Sequence, residues 1–120
     1  MLDRALARLD TAEPVLLIDS AGEPVRLLQR DILYMEALWP AVKVVTTGGI
    51  YEVKASLAQI AGQLTPCAFI QCHRSYIAGL RHVKRLTRGE LFLDGGAVIP
   101  LSRRLYHAVH QAFFHFHKRV

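Results

Sequence analysis

Residues 42 to 54 read VKVVTTGGIYEVK, two runs of β-branched and aromatic residues on either side of a Thr47-Gly48-Gly49 step. Valine, isoleucine and tyrosine favour a pleated, half-buried surface, and the glycines allow a tight reversal between the runs. The stretch predicts a β-hairpin with a well-fixed register. It sets the class of the fold, because the text on both sides follows the same pattern.

Upstream, VLLIDS from Val15, a turn at AGEP around Ala21-Gly22, and VRLLQRDILYMEA predict further strands. Downstream, AFIQC, a turn region around HRSYIAGL, the strand RHVKRL, a turn at Arg88-Gly89, ELFLD, a Gly95-Gly96 turn and AVIPL give short strands at hairpin spacing. Ser56 can accept a backbone N–H at the start of a short helix near 56–64, where Leu57, Ile60, Ala61 and Leu64 share a face and Pro66 ends the run. Helical spacing also aligns Leu2, Leu6 and Leu9 ahead of TAEP, and Leu105, Val109, Ala112, Phe113 and Phe116 near the C-terminus. The expected fold is mostly β, several short antiparallel sheets with flanking N- and C-terminal helices. One domain accounts for all of it: an N-terminal helix and turn over 1–12, a β-rich core over 15–101 and a C-terminal helix over 102–120. The sequence contains no internal repeat, low-complexity tract or linker.

A chain of 120 residues can bury roughly two thirds of its unfolded surface, enough to fold without disulfides or metals. The composition, 52% hydrophobic and 21% charged, is that of a soluble globule. No apolar run nears the roughly 20 residues needed to span a bilayer. The opening MLDRALARLD carries acids and lacks a continuous apolar core, so it does not read as a signal peptide, and a cytoplasmic location is expected. Strand alternation sends Cys67 and Cys72 to opposite faces, which disfavours a disulfide and agrees with a reducing compartment.

The net charge of +5 is unevenly divided: residues 1–60 hold six Lys or Arg against eight Asp or Glu, and residues 61–120 hold nine against two. A basic surface concentrates phosphate-bearing ligands, so the second half is where a polyanion should dock. The plain alternative is a solvated surface with surplus arginine.

Catalytic patterns are absent from the sequence: no Walker A loop, GxGxxG, HExxH or GxSxG. Neither an enzymatic activity nor a cofactor nor a small-molecule substrate is expected. Six histidines raise a metal site, yet on a helix His115 and His117 point about 160° apart, and no carboxylate or thiolate stands beside them or beside His107 and His110. Solvated or DNA-facing histidines fit better. Cys72 and His73 are neighbours on a strand, where side chains diverge, so they do not form a nucleophile and base.

The cations are more informative. Arg74, Arg81, Lys84, Arg85, Arg88, Arg103 and Arg104 fall in a segment whose only acids are Glu90 and Asp94, so at least one of the paired arginines is free for a partner. A helix beginning near Ser102 would aim its N-terminus and the Ser102 hydroxyl, as N-cap, at an incoming phosphate. Arginine is also the side chain that reads guanine with two hydrogen bonds in the major groove.

DILYMEA at 31–37, VKVVTTGGIYEVKASLAQIAGQL, FIQCHRSYIAGLRHVKRL and IPLSRR resemble, in that order, the LytTR DNA-binding domains of bacterial transcription regulators. The specific part is CHRSYI followed some twenty residues later by IPLSRR. The resemblance implies a mostly β fold whose loops enter two successive major grooves of bent double-stranded DNA, commonly at paired direct repeats with one domain on each. By position, contacts would come from the loop after Glu36, from Arg74, the residue following Cys72-His73, and from Arg103 and Arg104; His73, Lys84, Arg85, Arg88 and Ser102 complete the candidate interface on their own chemistry. The first loop reads LWPAVK. Lys43 is its candidate contact, and Trp39 belongs either against a groove or in the core; Pro40 departs from the family pattern. At Gly79 the family usually has asparagine, and glycine would equally tolerate a left-handed turn. Many members carry a receiver domain ahead of this module, for which this chain has no length, so a stand-alone regulator controlled from elsewhere is expected. The terminal helices, 2–10 and 103–119, are then candidate surfaces for a homodimer on DNA or for a membrane-bound or separate regulatory protein, with Phe114 either at such a contact or in the core. The competing reading is an antagonist module that keeps the fold and binds a partner through those helices.

Overall fold

Alternation of buried and exposed residues organises the strands, as in Val15–Ser20, where Leu16 and Ile18 point inward and Leu17 and Asp19 outward. A computed structural model describes residues 13–118, so the helix expected over 2–10 lies outside the described residues. The strands are β1 (Val15–Ser20), β2 (Glu23–Leu28), β3 (Ile32–Leu38), β4 (Ala41–Thr46), β5 (Gly49–Val53), β6 (Phe69–His73), β7 (Tyr76–Gly79), β8 (Val83–Leu86), β9 (Glu90–Leu93) and β10 (Val98–Pro100). Helix α1 (Leu57–Ala61) joins β5 to β6, and α2 (Tyr106–Lys118) ends the described chain. Antiparallel pairing gives a five-stranded sheet of order β5-β4-β3-β7-β6, a three-stranded sheet β10-β9-β8 and the hairpin β1-β2.

The five-stranded sheet separates two cores. Met35, Val42, Val44 and Ile77 meet Leu16, Ile18 and Leu27 of the β1-β2 hairpin and Leu57, Ile60 and Leu64 around α1. Across the sheet, Cys72 and Ala78 meet Leu91, Leu93 and Ile99 of the three-stranded sheet and Val109 of α2. Side chains such as Leu16, Met35, Leu91 and Val109 are fully buried, each contributing about 1.5–3 kcal/mol of apolar transfer. The three-stranded sheet, which carries Lys84 and Arg85, and α2, which carries Lys118, are therefore packed on the same central sheet.

Gln29 is the one buried polar side chain among the described residues. Its amide donates to the Val15 and Gln63 carbonyls, each at 2.9 Å, and its oxygen accepts from Thr65 N–H at 3.0 Å. Three satisfied bonds remove the penalty of burying the amide. They also explain why VRLLQRDILYMEA is not one strand: a 3-10 turn over Gln29–Asp31 breaks it, sending β2 to the hairpin and β3 to the main sheet.

Ser56 caps α1 as expected and forms a reciprocal capping box with Gln59. The helix ends at Gly62 rather than at Pro66. Gln63 is diverted to pair with both backbone groups of Leu17, at 3.2 and 3.1 Å. The hairpin over 42–54 forms as read, and at the β1-β2 turn Ala21 and Gly22 both hold positive φ, 53° and 82°. HRSYIAGL, by contrast, is mostly strand: Arg74 and Ser75 turn, Tyr76–Gly79 is β7, second from the edge of the main sheet, and Leu80 leaves it. In RHVKRL the strand begins at Val83, because Leu80–His82 forms a 3-10 turn held by His82, whose ring nitrogens contact Asp94 and the Arg30 carbonyl.

Gly79 is required for a different reason from the one its type suggests. Its φ is −82°, ordinary extended backbone, so left-handed freedom plays no part. A Cβ there would sit 2.5 Å from the Ile32 carbonyl oxygen and 3.3 Å from that of Leu33. Neither backbone oxygen can move without distorting β3. Gly79→Ala should therefore lower unfolding free energy by about 1–3 kcal/mol in a urea titration, and an unchanged midpoint would contradict this packing.

Candidate nucleic-acid interface

The candidate residues gather where strands end. β3 stops at Leu38 and β4 starts at Ala41, leaving Trp39-Pro40 as the connection, and β6 stops at His73 while β7 starts at Tyr76. Because β3 pairs with both β4 and β7, these two connections emerge from the same end of the sheet. Ala37 N–H donates to the Ser75 carbonyl at 2.8 Å and ties them together. The IPLSRR segment joins the same rim through Ser102 N–H, which donates to the Cys72 carbonyl at 2.8 Å. Leu101 N–H donates to the Gly89 carbonyl at 2.9 Å, which adds the β8-β9 turn carrying Arg88. Four connections thus converge at one end, bearing Trp39, Arg74, Arg88, Ser102, Arg103 and Arg104.

Beneath the rim lies a polar row. The strand register aligns Glu52, Lys43, Glu36, Tyr76 and His73 across all five strands, one residue from each. Tyr76 OH donates to Glu36 Oε2 at 2.9 Å, and Lys43 Nζ lies 3.3 Å from Glu36 Oε1. His73 packs edge-on against Tyr76, and its Nδ1 accepts from Ser75 N–H at 3.1 Å, which shapes the turn presenting Arg74. The Lys43–Glu36 pair is partly exposed and worth under about 1 kcal/mol, so its effect is chiefly positional.

Lys43 is therefore not a loop residue: it lies inside β4, held by Glu36, because the connection after β3 is only two residues long. Trp39 is 87% exposed and has no place in the core. Ser102 occupies the position before the helix, yet its side chain makes no capping bond. A 3-10 turn over Arg103–Leu105 precedes α2, with Leu105 N–H donating to the Ser102 carbonyl at 3.1 Å. Arg85 lies on the outer face of the three-stranded sheet, its guanidinium 3.8 Å from the Phe92 ring centre, and Arg88 lies over Tyr106 at 5.1 Å. Lys84, near the start of β8, is away from the rim. Among the described residues none of Arg74, Lys84, Arg85, Arg88, Arg103 or Arg104 makes an ion pair, while Asp94 is taken by His82.

Cys72 and His73 are built for packing rather than chemistry. Cys72 is fully buried, and burial pushes its thiol up to about 12, keeping it protonated. Both cysteines are free, Cys67 in the turn before β6 rather than on a strand. His117 is held at α2 by a 3.0 Å contact to the Leu80 carbonyl and by Phe113, a structural role that spacing did not reveal. The Glu36–Tyr76 bond was also invisible in the sequence. Alternation could place Glu36 on a face, but its partner is 40 residues away.

Four connections, basic or aromatic in character, thus meet at one end of this β domain. The model of the LytTr DNA-binding domain matches residues 23–114. The chain is 33% identical over 101 residues to the CO-responsive transcriptional regulator RcoM of Rhodospirillum rubrum, covering 79% of this chain and 39% of that protein. A LytTr DNA-binding domain structure from Bacillus cereus shares the fold with a TM-score of 0.72 at 23% identity, over 84% of this chain and 97% of that one. This chain belongs to the LytTR DNA-binding domain family. Its match to the regulator spans less than half of that protein's length.

Burial first, and then the Glu36 carboxylate that holds its proton, raise the Tyr76 phenol from 10.0 to about 12. In an ultraviolet titration of tyrosinate, the last tyrosine to ionise should disappear in Tyr76→Phe and ionise earlier in Glu36→Gln. A late-ionising tyrosine that survives Tyr76→Phe would contradict the row.

Proposed function

We propose that this chain binds double-stranded DNA sequence-specifically as a LytTR-type transcription regulator, its rim loops entering successive major grooves. The observation that carries this reading is the convergence of Arg74, Arg88, Arg103 and Arg104 through the Ser102–Cys72 and Leu101–Gly89 backbone bonds. A duplex is a dense array of phosphates, and cations that neutralise them release counterions, so a clustered rim gives affinity that falls with salt. Arg74 and Arg104 are the base readers in this account. Arg88, Arg103 and Ser102 hold phosphates, and His73 and Lys43 set the geometry beneath them. Paired direct repeats, one domain on each, and a bent site that adds indirect readout follow from the family resemblance. The regulator works in the cytoplasm, and its controlling signal reaches it through another protein or domain.

A second reading, a module that binds a protein partner through α2, is favoured by one observation. Tyr106, His110, Phe114 and Lys118 form a stripe along α2 with neighbouring ring centres 5.6 and 4.8 Å apart; Tyr106 and His110 are half-buried, and Phe114 is 45% exposed. Such a complex would be far less sensitive to salt than DNA binding.

Sites selected from random duplexes provide the test. Arg74→Ala or Arg104→Ala should weaken binding to the selected site by about tenfold or more, from about 1–3 kcal/mol per lost base contact, while random DNA loses less. Equal losses on both would contradict base readout. Arg88→Ala should weaken all duplexes alike and reduce the salt slope by about one, whereas Lys84→Ala, away from the rim, should change it less. The reverse order would displace the interface from this end of the sheet.

A further inference from the structure

We infer that Trp39 is an apolar wedge against DNA, its indole packed on deoxyribose and base edges beside the groove that the arginine loops enter. This rests on the DNA-binding reading above. Trp39 is the sole tryptophan of the chain and is 87% exposed, with Leu38 beside it 43% exposed. An indole left in water at a rigid turn has a large apolar surface still to bury, and such surfaces mark contact sites.

The turn is held firmly. Leu38 pairs with Ala41, only Trp39 and Pro40 lie between them, and Ala37 N–H is anchored to the Ser75 carbonyl. Little conformational freedom would be lost when a partner arrives, which favours binding. The same anchor puts Trp39 next to the Arg74 turn, on the rim that carries Arg103 and Arg104.

Charge decides on which side the partner lies. Away from the arginines, Leu38 and Pro40 border a groove of about 790 Å³ that also holds Asp19, Glu52 and Lys54. Two acids against one lysine repel phosphate from that flank, while the rim arginines, which make no ion pair among the described residues, attract it to the other. A duplex drawn onto the arginines would bring sugars and base edges to the indole. There an apolar side chain can cover thymine methyls and deoxyribose or wedge at a base step, adding affinity that releases no counterions.

Because there is one tryptophan, its emission reports the contact directly. Duplexes selected from a random pool, carrying a dye for anisotropy, would be added to the full chain, to Trp39→Ala and to Trp39→Phe. Emission of the unaltered chain should fall and shift to shorter wavelength as anisotropy rises, and acrylamide should quench it less. Trp39→Ala should bind about tenfold more weakly, as loss of an aromatic nucleic-acid contact does, with an unchanged salt slope and an unchanged far-ultraviolet spectrum; Trp39→Phe should recover most of the loss. If anisotropy reports binding while emission stays constant and Trp39→Ala binds like the unaltered chain, the wedge is wrong and DNA binding stands. If no duplex raises anisotropy at low salt, the DNA-binding reading fails and this inference with it.

Discussion

One backbone hydrogen bond, from Ser102 N–H to the Cys72 carbonyl, brings together the two arginine-bearing segments of this domain. The segments flank different sheets, which already pack together through the core that Cys72, Leu101 and Val109 share. With the Leu101–Gly89 bond beside it, this contact converts basic residues scattered along the second half of the chain into one charged rim. Its energy is modest, on the order of 1 kcal/mol, and its geometric effect is large. Charges on one rigid end present a summed field to a polyanion, whereas the same charges dispersed would be screened individually by salt.

The row of Glu52, Lys43, Glu36, Tyr76 and His73 performs a related task inside the sheet. Two apolar cores already stabilise the sheet from both faces, so the row is not needed to hold the strands together. It fixes side chains under the loops. Tyr76 grips Glu36, Glu36 holds Lys43, and His73 rests on Tyr76 while accepting from the turn that presents Arg74. A preorganised rim loses less freedom on binding than loops ordered only by their ligand.

Much of the fold was legible because it is written in local periodicity. The hairpin over 42–54, the Ser56 cap and the C-terminal stripe ending in Phe116 each depend on neighbours within a few residues, and each forms where expected. What escaped depends on distant atoms. The break at Gln29 is set by carbonyls at Val15 and Gln63, the need for glycine at 79 by the Ile32 carbonyl, and the early end of α1 by the pull of Leu17 on Gln63. The basic segments could be read as candidates, since charge is local. Their convergence could not, since it passes through backbone bonds between residues 30 and 12 positions apart, and Lys43 lies in β4 and not in a loop because the connection after β3 is only two residues long, a length that LWPAVK does not reveal.

The most direct test of the whole account is a map of backbone amide resonances during titration with a selected duplex. Shifts are expected to concentrate at 38–41, 73–75, 88–89 and 101–105, the four connections of the rim, with the β1-β2 hairpin and the stripe along α2 little changed. Shifts confined to that hairpin or to the stripe through His110 and Phe114, with the rim silent, would contradict the claim that this end of the sheet meets DNA.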